Sequence, residues 1–513
     1  MRTAARTRAL AGVITTAGLL LAAAGPAVAT GSTTYFVDCS QGSDAAAGKS
    51  AATAWHSLAK VNGVQLHPGD KVRLRGGTTC FGTLAPQGSG TSADPVRINS
   101  YGTGQARIDG QGARAAVFLH NVQGYVLANL DISNTGPAPT TDQQRTGVYV
   151  LLEDFGTGTH YVVQNLTVHD VNGSDDRYPI PSGGIVFEAG GSTTPTGFDD
   201  IKVRDNTVNH VDRTGIAVVS AWQRRDVNPT GPGTSFAPIT HVAVRNNTVS
   251  DIGGDGIVVF NGIAPLVENN VINGYGKRTS DYNVGTYAWN SDNAVFQYND
   301  VSHGVSPAMA FDFEGGNRGT IYQYNFSHDN GGGALFSCPS QGTSSTGDIY
   351  RYNISQNDVG SGYLGVITMP CGDEPNAQIY NNTFYDPTSP NMVMTSGSST
   401  FKFSNNIFVG QPGGSTINDP FSSFSSNVFQ NITSGSGGTL GSHVVQGDPL
   451  FTAPGTATSL ATAGGYQLKA GSPALGAGSP VTGNGGRDYF GNKVPAKTPN
   501  IGAYQGGAVS GGY

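Results

Sequence analysis

The chain has 513 residues, 75 of them Gly, and 12% charged side chains, with a formal net charge of −7. So sparse and acidic a charge set offers little to a phosphate backbone, which excludes nucleic-acid binding as a primary role. The Gly fall at the turns of a periodic apolar pattern, which argues for an ordered chain and against low complexity.

In chain order, residues 1–29 come first. Arg2, Arg6 and Arg8, an apolar run from Leu10 to Ala24 and the small-residue end Ala27-Val28-Ala29 have the layout of a secretory signal peptide. The mature chain is expected to start at Thr30, secreted and extracellular. No other segment is apolar for 18 residues, so no membrane span is expected. Within residues 51–63, Trp55, Leu58 and Val61 recur at helical spacing, which predicts a short amphipathic helix capping the open end of a solenoid.

The solenoid itself is read from a repeat. Asn165, Asn206, Asn247, Asn270, Asn299, Asn325, Asn353, Asn382 and Asn406 each end a short alternating run, at steps of 41, 41, 23, 29, 26, 28, 29 and 24 residues. A unit of about 26 residues with period-two alternation has room for three short strands and their turns, one coil of a solenoid. Asn tolerates the left-handed backbone of a tight turn, and stacked Asn amides form a hydrogen-bonded ladder. No long helical period intervenes, which argues against a barrel or a doubly wound sheet. The prediction is an all-β parallel β-helix over residues 30–444, with an N-terminal helical cap and a C-terminal capping module over 445–513.

A second strand in most coils aligns as 147–151, 184–188, 215–219, 256–260, 285–289, 308–312 and 333–337. The second and fourth positions are nearly all apolar and face inward. The third and fifth then face outward and include Tyr149, Glu188, Phe260, Tyr287, Trp289 and Asp312, with Leu335 and Ser337 in the last strand. Asp312 and Glu314, two apart on one strand, share the outward face with Cα atoms about 6.6 Å apart. Such a carboxyl pair suits either stereochemical course of glycoside hydrolysis. Asp255, at a turn before its strand, is a third catalytic candidate. Trp289, Tyr287 and Phe260 are candidate sugar platforms, because a sugar ring has one apolar face. Glu188, four coils from Asp312, falls within the same groove.

Insertions at 171–183, 222–238 and 274–284 interrupt successive coils and are expected to wall this groove, as loops on solenoids do. They bring Trp222 and Lys277 as further substrate-binding candidates, joined by Arg318 beyond the paired carboxylates. Asp373 and Glu374 are reserve carboxylates. Four Cys in an exported chain predict two disulfides, of three possible pairings. Cys338 and Cys371 lie about one coil apart and are expected to staple neighbouring coils, leaving Cys39 with Cys80.

Residues 35–38, 42–44, 55–58, 68–70 and 75–77, followed by the Asn coils and then 448–451, 471–473 and 501–504, resemble secreted bacterial right-handed parallel β-helix proteins of the pectate-lyase-like superfamily. The resemblance covers nearly the whole mature chain. It implies the fold and a carbohydrate-active role, but it selects no reaction, since the motif sets of polygalacturonases and alginate epimerases are missing. The expected function is a polysaccharide-degrading glycoside hydrolase acting as a monomer on a polysaccharide or oligosaccharide, with no cofactor required. The alternatives are a polysaccharide lyase, using Ca²⁺ held by Asp312 and Glu314 with Lys277 or an Arg as base, and a non-catalytic glycan-binding solenoid.

Overall fold

The computed structural model describes residues 31–176, 182–279, 282–339, 342–360, 362–435 and 437–509. The expected signal peptide lies outside these. Almost every strand pairs in parallel with the equivalent strand one coil away, giving long sheets of 15, 14 and 12 strands around one apolar interior. The chain folds as a right-handed parallel β-helix. Ile216, Ile257 and Phe311 share its core.

The turn from the 15-stranded to the 14-stranded sheet repeats from coil to coil. Its first residue takes a positive φ, as at Asn246, Tyr324 and Asn381, and its second is the ladder Asn. The ladder runs through Asn206, Asn247, Asn270, Asn299, Asn325, Asn353, Asn382, Asn406 and Asn427, all buried. The left-handed residue is therefore the one before the ladder Asn. Asn165 takes this outer position at φ 53 and is exposed, so the ladder begins one coil later than the sequence period implies, while Asn427 extends it.

The corner that opens each strand of the 12-stranded sheet is a column of small residues. A Cβ on Gly147 would approach Val168 Cγ1 to 2.5 Å, and one on Gly285 would approach Val301 Cγ1 to 2.3 Å. Ala310 occupies this column opposite Gly285, and Ala334 the coil after that. The sequence alignment of the last two coils is thus slipped, by two residues at 308–312 and by one at 333–337. A two-residue slip preserves the faces, so Asp312 stays outward and Phe311 inward. A one-residue slip reverses them. Phe336 and Cys338 face outward, and Leu335 packs in the core, contrary to the sequence reading. Met309 also lies outside the core, against Phe336 and Leu364.

The N-terminal helix is shorter than expected, Leu58–Asn62, and Trp55 precedes it in a bridge with Val37. Leu58, Val61 and Trp55 are nonetheless all buried against the first coils. At the other end Leu440 and Val444 pack on the main core. From Phe451 onward the chain turns back along the flank of the 14-stranded sheet, covering Phe326, Ile354 and Ile407, and Gln356 hydrogen-bonds Ala457 and Tyr466 there. The Cys39–Cys80 and Cys338–Cys371 disulfides are both formed, with Cα separations of 5.2 and 4.5 Å.

Candidate functional site

The strand Met309–Glu314 carries Asp312 and Glu314 on the outward face of the 12-stranded sheet. Its backbone is tied from inside. The Tyr322 hydroxyl donates to the Asp312 carbonyl at 2.7 Å, and Ser345 Oγ donates to the Glu314 carbonyl at 3.0 Å. Both carboxylates thus stand on a strand that is clamped rather than on a loop, the placement that holds reacting groups in a fixed geometry.

Strand pairing sets their neighbours. On the preceding coil Tyr287 is the partner of Asp312 and Trp289 stands beside Glu314, so the corrected register places the Trp opposite Glu314, not Asp312. On the following coil Phe336 is the partner of Asp312 and Cys338 that of Glu314. Phe260 lies one coil before Trp289, with ring centroids 6.3 Å apart. Gly315 permits this arrangement, since a Cβ there would come within 2.7 Å of the Trp289 ring.

Two cavities open on either side of this strand. The larger, of about 450 Å³, lies over the preceding coils and is lined by Val219, Val258, Phe260, Tyr287, Trp289 and Glu314 below. Its roof is the 222–238 insertion, through Gln223, Asn228, Thr230, Gly231 and Pro232. The smaller, of about 290 Å³, lies over the following coils, with Asp312 and Glu314 at its border. Tyr287 and Glu314 line both.

The roof is pinned at several points. Trp222 is fully buried, and its indole N–H donates to the Gly190 carbonyl at 2.7 Å. It is a core anchor of the loop, which corrects its assignment as a substrate-binding residue. Arg225 donates to Asn290 at 2.8 Å, to both oxygens of Asp292 at 2.9 Å and to the Gly316 carbonyl at 2.7 Å, and it stacks on Phe236. Trp289 Nε1 donates to Gln223 Oε1 at 3.0 Å, joining platform to roof. Arg318 lines neither cavity and pairs with the exposed Asp226 on the same loop.

Asp255 does line the larger cavity, but its carboxylate is bound into the wall. It accepts from Arg213 at 2.6 Å and from the Val284 amide at 2.9 Å, and Arg213 donates a further bond to Asn283 at 2.6 Å. Glu188 lines neither cavity. It accepts a hydrogen bond from the Tyr149 hydroxyl, to which Arg114 also donates, and burial holds its carboxyl above the usual range. Lys277 lines neither cavity and lies 3.5 Å from Asp251. Asp373 is occupied by Thr400, and Glu374 is wholly buried, its carboxyl held well above the usual range by burial and then by the adjacent Asp348. Among the described residues no group of three or more His, Cys, Asp or Glu side chains could hold a metal ion.

Sequence reading did not single out Phe336, Tyr282, Tyr363 or the Cys338–Cys371 bridge as lining of the smaller cavity. Phe336 is turned inward by the one-residue slip, and Tyr282 and Tyr363 lie between strands, where there is no periodicity to read. The Ala334 match to the small-residue column was the signal that would have corrected the former.

A model for a right-handed β-helix region matches residues 183–353. The chain is 29% identical to the lacto-N-biosidase of Bifidobacterium longum subsp. longum, over 74% of this chain and 29% of that protein. It thus spans less than a third of that curated relative. The crystal structure of a GH136 lacto-N-biosidase from Eubacterium ramulus superposes with a TM-score of 0.62 at 25% identity, covering 73% of this chain and 67% of that one. The complex of XylC with xylose shares the fold, at a TM-score of 0.54 and 11% identity, over 92% of this chain and 98% of that one.

Proposed function

We propose that this chain is an exported glycoside hydrolase, with Asp312 and Glu314 as its carboxyl pair and an oligosaccharide or polysaccharide as substrate. The observation that carries this is the placement of both carboxylates on one clamped strand, Glu314 lining both cavities and Asp312 the smaller one, beside the aromatic rings of Tyr287 and Trp289. One carboxyl protonates the glycosidic oxygen as the bond breaks. The other attacks the anomeric carbon or deprotonates a water on its far face. Similarity to the two lacto-N-biosidases supports the hydrolytic reading over a plain binding surface. The two disulfides fit export into an oxidising compartment.

The lyase reading needs a base facing the substrate, and Lys277 is engaged with Asp251 away from both cavities. The hydrolase needs no cofactor. The test is incubation with a panel of plant and microbial glycans, with and without chelator, reading reducing ends and unsaturated-uronate absorbance. Reducing ends without that absorbance, abolished in Asp312→Asn and Glu314→Gln by at least about 10²-fold, are expected. Absorbance that rises with Ca²⁺, or full activity in both variants, would overturn the assignment.

A further inference from the structure

The smaller cavity carries a feature that the catalytic pair alone does not require. Its floor is the coil that follows the carboxylates, where Phe336 is the strand partner of Asp312. Tyr282 stacks on Phe336, with centroids 5.8 Å apart and planes 27° from parallel. Tyr282 keeps 39% of its surface exposed and Tyr363, which lines the same cavity, 58%. The Cys338–Cys371 bridge closes the third side. Large exposed aromatics gathered around a cavity are uncommon on a surface that has no partner. Here they are gathered where Asp312 and Glu314 form the border.

Continuity identifies the occupant. Tyr287 and Glu314 line both cavities, so the two are halves of one trough that runs parallel to the solenoid axis. From Val219 to Phe336 the trough crosses four strand spacings, about 19 Å. The carboxylates divide it unequally. A bond cleaved above them necessarily has sugar, or whatever the sugar is joined to, on both sides. The larger cavity has a polar roof of Gln223, Asn228 and Thr230, which suits a hydroxylated ring held on all sides. The smaller one offers the ring faces of Tyr282, Phe336 and Tyr363 beside a disulfide, with the Asp312 and Glu314 carboxylates among its lining, which suits stacking on the apolar face of a pyranose whose hydroxyls meet the carboxylates.

We propose that the smaller cavity is a sugar subsite, in which Tyr282, Phe336 and Tyr363 stack the residue on the far side of the scissile bond from the larger cavity. This rests on the assignment of Asp312 and Glu314 as the catalytic pair. The enzyme accordingly selects substrates by what lies on both sides of the bond it breaks, and a substrate reaching into one cavity alone is a poor one.

The test separates the two claims by leaving group. Di- to hexasaccharides of cellulose, xylan, mannan, galactan and chitin type are assayed with the full-length exported protein. For the series that is cleaved, the glycosyl fluoride of the released sugar is assayed beside it, because fluoride leaves without filling a subsite. Tyr363→Ala and Phe336→Ala are expected to lower kcat/KM for the oligosaccharide by about tenfold, with the fluoride changed by less than about twofold. Tyr363 is mostly exposed, so its variant keeps the test valid should Phe336→Ala fold poorly. Equal losses on both substrates, or no loss on either, overturn the subsite. Fluoride hydrolysis that survives in both Asp312→Asn and Glu314→Gln instead overturns the catalytic assignment, whereas survival in one of them alone marks that residue as the general acid, which departing fluoride does not need. A panel that the wild-type protein neither cleaves nor binds overturns both.

Discussion

Asp255→Ala distinguishes scaffold from chemistry in the larger cavity. Asp255 and Arg213 are both almost wholly buried, at 3% and 2% exposure, and their 2.6 Å bond is reinforced by the Val284 amide at 2.9 Å. Removing the carboxylate strands a buried guanidinium, which costs about 3–5 kcal/mol. It also orphans an amide N–H, at about 1–3 kcal/mol. Arg213 keeps its bond to Asn283, so the net loss is set at about 4 kcal/mol, near the lower end of those two costs combined. Against a typical stability of about 5–15 kcal/mol this is a large shift in the denaturation midpoint. The assay is urea unfolding beside kcat/KM. The double variant Arg213→Met, Asp255→Leu removes both charges together and is expected to recover much of the stability. A variant Asp255→Ala with a wild-type midpoint and a loss of activity beyond about 10²-fold would refute this reasoning and make Asp255 a reacting group.

Asn325→Ala removes four buried side-chain hydrogen bonds, two accepted from Asn299 and two donated to Phe296 and Asn353, and is expected to cost about 4 kcal/mol at about 1 kcal/mol each. Asn165→Ala, outside the ladder, should cost about 1–2 kcal/mol for placing Ala at a left-handed position, and equal losses by calorimetry would show that the ladder adds nothing. Stability is expected to fall between about pH 4 and pH 8. Burial pushes the Asp348 carboxyl up to about 8 and holds Asp358, Glu374 and Asp386 above their usual values, so the folded chain binds more protons than the unfolded one across that window. A melting temperature that rises from pH 5 to pH 8, or a slope unchanged in Asp348→Asn, would contradict this. Cys338→Ser with Cys371→Ser opens a 33-residue loop in the unfolded state, worth about 3–4 kcal/mol, and should lower both the midpoint and the oligosaccharide kcat/KM.

The fold was legible because a solenoid repeats its turn chemistry. One buried Asn per coil must meet the Asn above and below, and this restricts both residue type and spacing, so the period survives in sequence. Site residues repeat nothing. The outward placement of Asp312 and Glu314 was legible because alternation alone gives it, and a two-residue slip leaves that unchanged. Phe336 was lost because Gly333 mimicked the corner glycine, whereas Gly333 lies at φ 104 one residue before the corner and Ala334 fills the column. Trp222 could not be told from a platform by sequence. An aromatic in a polar insertion looks the same whether it faces a ligand or drops into the core, and only the bond to Gly190 on the neighbouring coil decides it.

The same separation of repeat from surface holds along the strand that carries the proposed carboxyl pair. Along Met309–Glu314 the inward residues Ala310, Phe311 and Phe313 are held by core packing, and the clamps from Tyr322 and Ser345 act on backbone carbonyls. Nothing in the core therefore depends on which outward side chain the strand presents. Chemistry on such a surface can change while the coil stays intact, which is why unrelated reactions recur on one fold. The cost falls on the roof. The 222–238 loop pairs with itself through two isolated antiparallel bridges, Gln223 with Phe236 and Arg225 with Asn228, and Trp222, Arg225 and the Trp289–Gln223 bond anchor it to the coils by side chains. Cutting Arg225 from Asp292 should therefore loosen the larger cavity while leaving the Asp312 strand as it is. Arg225→Ala is expected to raise KM more than it lowers kcat, and a fall in kcat alone would place the roof in the chemical step.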